Sequence, residues 1–262
     1  MDLQLKGRVA VVMAASKGLG AATARIFAQE GARVVVSARN GEVLARTAHD
    51  IAAETGAQVI PVVADSSRAE DIDRLMATTR ERFARIDALV VNAGGPPAGQ
   101  FMDFDDMAWQ AAIQLTLMSA VRAARAVIPV MRTQGGGSIT FIESYGIKHV
   151  LDNLLFSNSL RLGVIGMAKT LSHELGPEHI RVNVICPGST ETDRIRSLAK
   201  TNAQRNGSTV EEEITRMGKS IPLGRIGQPE EFGRACVFLA SPVASFINGA
   251  ALMVDGGASR VM

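Results

Sequence analysis

The chain has 262 residues, and 47% of them are hydrophobic, which is enough to bury a full core. This length favours a single large α/β domain that spans residues 1–262. Its 28 lysine and arginine residues nearly balance 26 aspartate and glutamate residues, and no run of like charge forms the basic stripe of a nucleic-acid-binding protein. The first residues lack the pattern of a secretion signal, and no stretch reaches the about 18 apolar residues of a membrane span, so we expect a soluble, cytoplasmic protein.

Seven short β-branched runs alternate with longer amphipathic segments along the chain. The runs are almost continuously apolar, which is typical of strands covered on both faces, and the helical segments between them supply crossover connections. We therefore predict a doubly wound, parallel seven-stranded sheet with helices on both faces. The predicted strands are residues 9–13, 34–37, 59–63, 88–91, 138–142, 182–186 and 252–254.

Glycine and proline mark the predicted helix boundaries. Gly31, Gly56 and Gly176 each follow a helical pattern at the position of a helix stop. Pro129 lies near the end of the longest helix and is expected to end or bend it. The polar, weakly periodic residues 192–219 are the candidate for a mobile helical lid over a substrate. The predicted helices are residues 20–30, 42–55, 107–131 and 154–175.

Cysteine and histidine offer little chemistry in this chain. Cys186 and Cys236 are the only cysteines, so no disulfide framework is implied, and we expect both to be buried, inert thiols. The four histidines do not take up the spacing of metal ligands. The sequence predicts no required metal.

A glycine-rich turn follows the first predicted strand and leads directly into a helix. Such a turn lets the backbone approach a pyrophosphate, and the helix amino terminus adds unpaired N–H groups and a positive dipole. Glycines also serve tight packing, so the turn gains its weight from its place after the first strand. The residues predicted to bind a dinucleotide here are Ser16, Lys17, Gly18, Leu19 and Gly20.

Further motifs follow later strands: residues 92–94, 187–192 and 254–257. With the glycine turn, this set resembles the short-chain dehydrogenase/reductase family over essentially the entire chain. The resemblance implies a single Rossmann-type domain with ligands at the carboxyl ends of the strands. It also implies that Asn92, Ala93 and Gly94 line the cofactor cleft, that Asp65 hydrogen-bonds adenine, and that Pro187, Gly188 and Thr192 contact the nicotinamide end.

The end of the second strand predicts which nicotinamide cofactor binds. An acidic residue there would repel a 2′-phosphate, whereas this chain has Ala38 followed by Arg39, with Lys17 as a second cation. We therefore expect NADP(H), the alternative being that both cations are simply solvated. One departure from the family is Ala14 at the first glycine position, which we expect to narrow the turn and weaken cofactor binding.

The catalytic segment departs further from the family. Ordinary members place an Asn, a Ser, a Tyr and a Lys around the nicotinamide, and the resemblance assigns these positions to Thr116, Ser144, Ser157 and Arg161. Serine is a much weaker acid than tyrosine, and arginine does not deprotonate, so the standard proton relay cannot run on this pair. The segment resembles a divergent branch similar to 3-oxoacyl-(acyl-carrier-protein) reductases that lacks the usual tetrad.

Other groups near Ser144 could supply a proton. Lys148 is the preferred candidate, because partial burial beside Arg161 would lower its pKa, although a solvated surface lysine fits the sequence as well. Tyr145 and His149 are weaker alternatives, since Tyr145 should face away from Ser144. We expect Glu143 to be a structural or polar-cluster residue.

Three functions remain open at this point. The first is an NADP(H)-dependent oxidoreductase that uses Ser144 and Arg161 to polarise a carbonyl or alcohol. The second is a non-redox enzyme on the same scaffold, such as a lyase or dehalogenase, and the third is a cofactor-binding protein without turnover. We also expect a homotetramer, formed through the helix that carries Val164 to Leu171 and through residues 250–254, although these residues could equally be core.

Overall fold

The computed structural model describes residues 1–260 and is built on one parallel sheet of seven strands in the order β3-β2-β1-β4-β5-β6-β7. The alternation of apolar runs and helical segments predicted this architecture, which is confirmed. The strands are β1 (Val9–Val12), β2 (Arg33–Ala38), β3 (Val59–Val63), β4 (Ala88–Val91), β5 (Gly137–Ile142), β6 (Ile180–Pro187) and β7 (Ala251–Val254).

Helices cover both faces of the sheet, because successive residues of each strand point to opposite sides. Thus Val34 and Val36 pack with α1, α2 and α9, whereas Val35 packs on the other face with α3, α5 and α6. The helices are α1 (Gly18–Gln29), α2 (Gly41–Thr55), α3 (Ala69–Phe83), α4 (Asp106–Ile113), α5 (Ser119–Thr133), α6 (Leu155–Leu175), α7 (Asp193–Asn206), α8 (Val210–Lys219) and α9 (Pro229–Ala240).

The strand order reverses between β1 and β4. The chain builds β1, β2 and β3 outward in one direction and then returns to place β4 on the other side of β1. The loops that leave the two strands diverge to opposite faces and leave a crevice at the carboxyl ends, which is where open parallel sheets bind ligands. The sheet topology therefore fixes the location of the site before any side chain is considered.

The long helix predicted over residues 107–131 has a different internal structure. It consists of α4, a π-helical turn (Gln114–Met118) and α5, in one continuous segment. Pro129 does not end it, because α5 continues to Thr133. A π turn inserts one extra residue into the helix and is common at functional sites, but no sequence pattern announced it here.

Two of the glycines predicted to end helices adopt different backbone conformations. Gly56 is left-handed, with φ 70°, as a glycine stop requires. Gly176 keeps right-handed geometry with φ −54°, and the left-handed residue is His179 at φ 57°, after a 3-10 turn (Gly176–Glu178). The predicted end of α6 at Leu175 is confirmed, but the chain turns three residues later than the glycine indicated.

The expectation that no segment has the composition of a membrane span is wrong for one helix. Over the described residues, the continuous segment Asp106–Thr133 is long and apolar enough to cross a bilayer. Its buried side, with Ala123, Val127 and Met131, instead packs in the core beneath the sheet. A core helix of an α/β domain passes the same test of length and composition.

The predicted lid region contains two helices, α7 and α8. They pack on each other and are joined at Gly207, whose φ is 65°. The capping box of Thr209 and Glu212 fixes the start of α8. That this region moves remains a prediction.

Candidate active site

The glycine turn after β1 is tightly bound to the surrounding strands. Met13 N–H donates to the carbonyl of Val90 at 3.0 Å and Ala15 N–H to that of Ser37 at 2.8 Å. Ala14 is left-handed with φ 48°, a conformation that costs a residue with a β-carbon roughly 1–2 kcal/mol. Asn92 of the β4 loop donates its Nδ2 to the Ala14 carbonyl at 3.3 Å and so helps to hold this turn.

The two glycines of the turn have separate uses. Gly18 is left-handed, with φ 58°, at the start of α1. A Cβ on Gly20 would lie 2.4 Å from the Ala14 carbonyl oxygen, so only glycine fits beneath the turn. Gly20 is buried and supports the turn instead of lining the cleft. The amino terminus of α1 has no side-chain cap, and its first N–H groups are left for a ligand.

A cleft of about 400 Å³ opens at the reversal of strand order between β1 and β4. Most of the predicted cofactor residues line it, namely Ser16, Lys17, Gly18, Leu19, Arg39, Asp65, Asn92, Ala93, Gly94 and Thr192. The residues that the sequence did not single out are Asn40, Ala64, Ser66, Leu115, Asp193 and Arg194. The cleft therefore unites the ends of β1, β2, β3 and β4 with the start of the lid region.

Two cations lie at the end of the cleft near β2. Ala38 is buried, Arg39 is exposed, and within residues 1–260 Arg39 makes no hydrogen bond or ion pair. Lys17 is also exposed but pairs with Asp193, with Nζ and Oδ2 3.2 Å apart. Asp65, further along the cleft, accepts hydrogen bonds from the backbone and hydroxyl of Ser67 at 2.9 and 2.7 Å.

The start of α7 contributes side chains that the sequence analysis missed. The guanidinium of Arg194 lies directly over Gly95, where any Cβ would overlap its Nη1. Together with the Lys17–Asp193 pair, it links the lid region to both sides of the cleft. The motif that ends at Thr192 gave the position of this helix start, but no local pattern shows that Arg194 reaches across to another loop.

Pro187 and Gly188 lie at the end of β6 and do not line the cleft. A Cβ on Gly188 would come within 2.7 Å of the Cα of Asp255, so glycine is required by the close approach of the chain after β7. Asp255 in turn accepts hydrogen bonds from Gly257 and Ser259. These contacts hold the segment after β6 against the segment after β7.

The predicted catalytic groups lie at the end of β5 and on the first turns of α6. Ser144 is the second residue after the end of β5 and has an extended conformation, and its Oγ accepts a hydrogen bond from Gly146 N–H at 3.1 Å. Ser157 and Arg161 are one helical turn apart, and Arg161 Nε donates to Ser157 Oγ at 3.0 Å. Arg161 Nη1 also donates to Glu143 Oε2 at 2.9 Å, so the guanidinium joins Ser157 to a buried carboxylate.

Glu143 is the most perturbed acid of the site. Its side chain is 5% exposed, and this burial raises the pKa of the carboxyl group to about 7, although the charge and hydrogen bond of Arg161 act in the opposite direction. The expectation that Glu143 belongs to a polar cluster agrees with this geometry. Acids with a pKa raised in this way occur at functional sites and also in structural ion pairs.

Thr116, which the family resemblance assigned to the asparagine position, lies in the π turn. Its Oγ1 is buried and has no hydrogen-bond partner within the described chain. It borders a small cavity shared with Glu143 and Arg161. An unpartnered buried hydroxyl costs free energy unless a ligand or water satisfies it.

The loop after Ser144 does not bring Lys148 into this cluster. Lys148 is exposed, so the partial burial expected beside Arg161 is not found, and in residues 1–260 it makes no ion pair or hydrogen bond with Arg161. The rings of Tyr145 and His149 contact each other edge to face, with centroids 5.0 Å apart. Asn158 holds the end of the loop through two hydrogen bonds with the backbone of Leu151.

Both cysteines are buried at a distance from the cleft lining, as expected. Burial raises the pKa of each thiol to about 12, and for Cys186 the nearby carboxylate of Glu143 adds to the effect. Neither thiol is therefore ionised near neutral pH, and neither is a nucleophile of this site.

Comparisons with known proteins agree with this geometry. Residues 13–259 match the family model described as enoyl-(acyl carrier protein) reductase. The dehydrogenase/reductase SDR family member 4 of Sus scrofa is 35% identical over 98% of this chain and 89% of its own. The chain belongs to the short-chain dehydrogenase/reductase family.

Two further relatives match the chain over almost its whole length. The 3-oxoacyl-(acyl-carrier-protein) reductase FabG of Chlamydia trachomatis is 33% identical over 97% of this chain and 98% of its own. The crystal structure of L-sorbose reductase from Gluconobacter frateurii, complexed with NADPH and L-sorbose, is 33% identical and covers 100% of both chains with a TM-score of 0.97. These short-chain reductases support an oxidoreductase activity for this chain.

The cofactor of this short-chain dehydrogenase/reductase is NADP(H), as Arg39 and Lys17 predicted. The cleft itself also fits NADP(H). The turn packs so closely on Gly20 that no side chain fits there, and the amino terminus of α1 leaves N–H groups for a pyrophosphate. Arg39 and Lys17 both line the cleft and offer the positive charge that a 2′-phosphate favours.

Proposed function

We propose that this protein transfers hydride between NADP(H) and a carbonyl or alcohol substrate, with a catalytic site in which Ser157 and Arg161 replace the tyrosine and lysine of the family. NADPH, when bound, supplies the hydride. The chain's own residues bind it through the glycine turn and Arg39 and hold the substrate oxygen at Ser144. The observation that carries the proposal is the cleft itself, whose binding groups remain largely unengaged.

Ser144, Ser157 and Arg161 have distinct roles in this proposal. Ser144 Oγ accepts a hydrogen bond from Gly146 N–H, which orients the hydroxyl group, and its own hydrogen is donated to the substrate oxygen. Arg161 stabilises negative charge that develops on the same oxygen, and its Nε fixes the hydroxyl of Ser157. The sequence suggested Lys148 as the proton carrier. Because Lys148 is exposed, we assign that role to water or to another group of the site.

A cofactor-binding protein without turnover is the second candidate. It is favoured by one observation: Arg161 already pairs with Glu143, so part of its charge is neutralised before a substrate arrives. A guanidinium group that is already paired with a carboxylate stabilises a developing oxyanion less than an unpaired guanidinium group does. The two candidates agree on the cofactor and differ only in catalysis.

The test has two stages. NADPH binding is measured by quenching of protein fluorescence or enhancement of NADPH fluorescence, and the purified protein is then screened for NADPH oxidation with ketones, diketones and keto sugars. Binding with oxidation supports the proposal, whereas binding without oxidation of NADPH by any carbonyl supports the second candidate. Absence of binding at millimolar NADPH contradicts both and favours non-redox chemistry on this scaffold.

We also propose a homotetramer, with α6 and the β7 region as the interfaces. Val164 and Ala168 are buried in the core, so they are unavailable for an interface. Leu162 on α6 and Leu252 on β7 are exposed and offer the apolar surface instead. Sedimentation that shows a stable monomer contradicts this assembly.

A further inference from the structure

The surroundings of Glu143 are almost free of charge. Arg161 of α6 faces it at 2.9 Å, and Cys186 of β6 faces it as a neutral thiol. The other elements around the adjoining cavity, β4, the π turn and α5, present Val91, Thr116 and Ser119. Arg161 is thus the single charged group on Glu143 in the described part of the chain, and the carboxyl group has no second acid to share a proton with.

A cavity beside Glu143 has the size of one water molecule. Its volume is about 10 Å³, and Thr116, Ser119, Glu143 and Arg161 line it. The single hydroxyl hydrogen of Ser119 already has acceptors in the backbone carbonyl oxygens of Leu115, the nearer, and Thr116, whereas Thr116 Oγ1 has no partner in residues 1–260. A water molecule here finds the two to four polar partners that buried water requires, and it satisfies Thr116.

The same cavity borders the NADP(H) cleft. Ala93 and Gly94 line both spaces, so the backbone of these two residues forms the shared wall. A group that exchanges protons with the cavity is therefore separated from the cleft by the thickness of one loop. Lys148, by contrast, is exposed on the loop after Ser144 and lines neither space.

We propose that Glu143 stores the proton that the reaction uses and exchanges it with the substrate oxygen through water that begins in the cavity between Glu143 and Thr116. This inference rests on the proposed function. When hydride adds to the carbonyl carbon, the electrons of the C=O double bond move to oxygen. The oxygen takes a proton from water, the water takes one from the Glu143 carboxyl group, and the carboxylate that remains pairs with Arg161. A solvent proton then restores Glu143, and the alcohol and NADP⁺ leave.

The raised pKa of Glu143 fixes the direction of the pH dependence. Because its pKa in the folded protein is about 7 and its ordinary value is 4.5, folded Glu143 keeps its proton across an interval in which the unfolded chain has lost it. Glu143 therefore contributes stability that is full below that ordinary value and is lost as the pH rises through about 7. Carbonyl reduction needs the protonated form and falls above this pH, while alcohol oxidation rises over the same range.

The first measurement is an infrared titration of the whole protein between pH 5 and pH 9 in the presence of NADPH, with no substrate. We expect a protonated-carboxyl band that disappears near neutral pH in the wild type, is absent in Glu143→Gln and returns in Glu143→Asp. Glu178→Gln is the matched control, because Glu178 is also paired with an arginine, Arg132, but lies away from the cleft and far from Glu143 in the fold. A carboxyl band unchanged in Glu143→Gln, or none at any pH, overturns the proposal.

The second measurement is the pH profile of NADPH oxidation with the most active carbonyl compound of the screen. We expect the wild-type rate to fall about tenfold per pH unit above the midpoint of the infrared titration, and Glu143→Gln to lose this dependence together with at least a tenfold loss of rate at pH 6. Thr116→Val, which removes the hydroxyl and keeps the shape, is expected to lower the rate without moving the infrared midpoint out of the neutral range. It also serves as the second variant if Glu143→Gln fails to fold.

A wrong proton store and a wrong proposed function give different experimental results. If NADPH is bound and oxidised but Glu143→Gln keeps the wild-type pH profile, the proton store is wrong and the proposed function stands. If NADPH does not bind, the proposed function fails, and the infrared titration without cofactor still reports whether Glu143 titrates near neutral pH.

Discussion

The cofactor cleft and the catalytic cluster lie on the same edge of the sheet, but they differ in how far their polar groups are already satisfied. In the cleft, Arg39 and the first N–H groups of α1 have no partner within the described chain. In the cluster, Arg161 is bound to both Ser157 and Glu143. Unengaged groups favour binding of a ligand, whereas engaged groups hold one another in position. Cofactor binding and proton transfer can therefore change independently on this scaffold.

The largest effect is expected from introducing a tyrosine and a lysine at the two positions that the proposed function assigns to the family's acid and its basic partner. Ser157→Tyr combined with Arg161→Lys places a phenol and an amine on the same face of α6, and the lysine still provides the positive charge that Glu143 faces. General acid catalysis contributes on the order of a hundredfold or more, and we expect a gain of that size in NADPH-dependent ketone reduction. The rate of NADPH oxidation with a panel of ketones is the measurement.

Each single variant is the control for this experiment. Ser157→Tyr alone lacks the amine, and Arg161→Lys alone lacks the phenol, so neither is expected to reach a tenth of the gain of the pair. If the double variant binds NADPH as the wild type does and gains no rate, the difference between the two regions extends beyond these two side chains to the shape of the site.

In the cleft, Gly20→Ala is expected to have the next largest effect. The new Cβ meets the backbone of Ala14 at 2.4 Å and of Ala15 at 2.9 Å, and neither atom is a flexible side chain. The turn must move, and we expect NADPH binding to weaken about a hundredfold, or about 3 kcal/mol. Fluorescence titration measures the change. Gly166→Ala, on α6 with open space around it, is the matched control, and NADPH affinity of Gly20→Ala within threefold of wild type contradicts the geometry.

These two experiments also separate what the sequence could predict from what it could not. The strands could be predicted from local apolar runs, and the glycine turn from the strand before it and the helix after it. The Arg161–Glu143 pair joins residues 18 apart through the loop and the helix. The contact of Arg194 with Gly95 joins the start of α7 to the loop after β4, and these two segments approach only in the folded chain. The π turn that carries Thr116 leaves no mark in the hydrophobic pattern.

A smaller effect is expected at the end of β2. Arg39→Ala removes the exposed cation beside Ala38, and a charge-assisted hydrogen bond to a phosphate is worth about 1.5–3 kcal/mol. We therefore expect NADPH to bind about tenfold more weakly, since Lys17 remains, while NADH affinity stays unchanged. The control is Arg46→Ala on α2, because Arg46 is exposed and pairs with Glu42 at 3.3 Å. If Arg39→Ala weakens the binding of NADPH and NADH equally, Arg39 does not recognise the 2′-phosphate.

The smallest effect concerns Lys17, a cation of the cleft that already has a partner. Lys17 pairs with Asp193 at 3.2 Å, but both side chains are about two thirds or more exposed, and such pairs contribute about 0–1 kcal/mol. Asp193→Asn releases Lys17 to a 2′-phosphate, and we expect NADPH affinity to rise two- to threefold at low salt and the gain to vanish at high salt. Asp73→Asn on α3 controls for the change in net charge. A fall in NADPH affinity instead would mean that Asp193 acts by holding the start of α7 against the cleft, and that the binding groups are less independent of the lid region than their exposure implies.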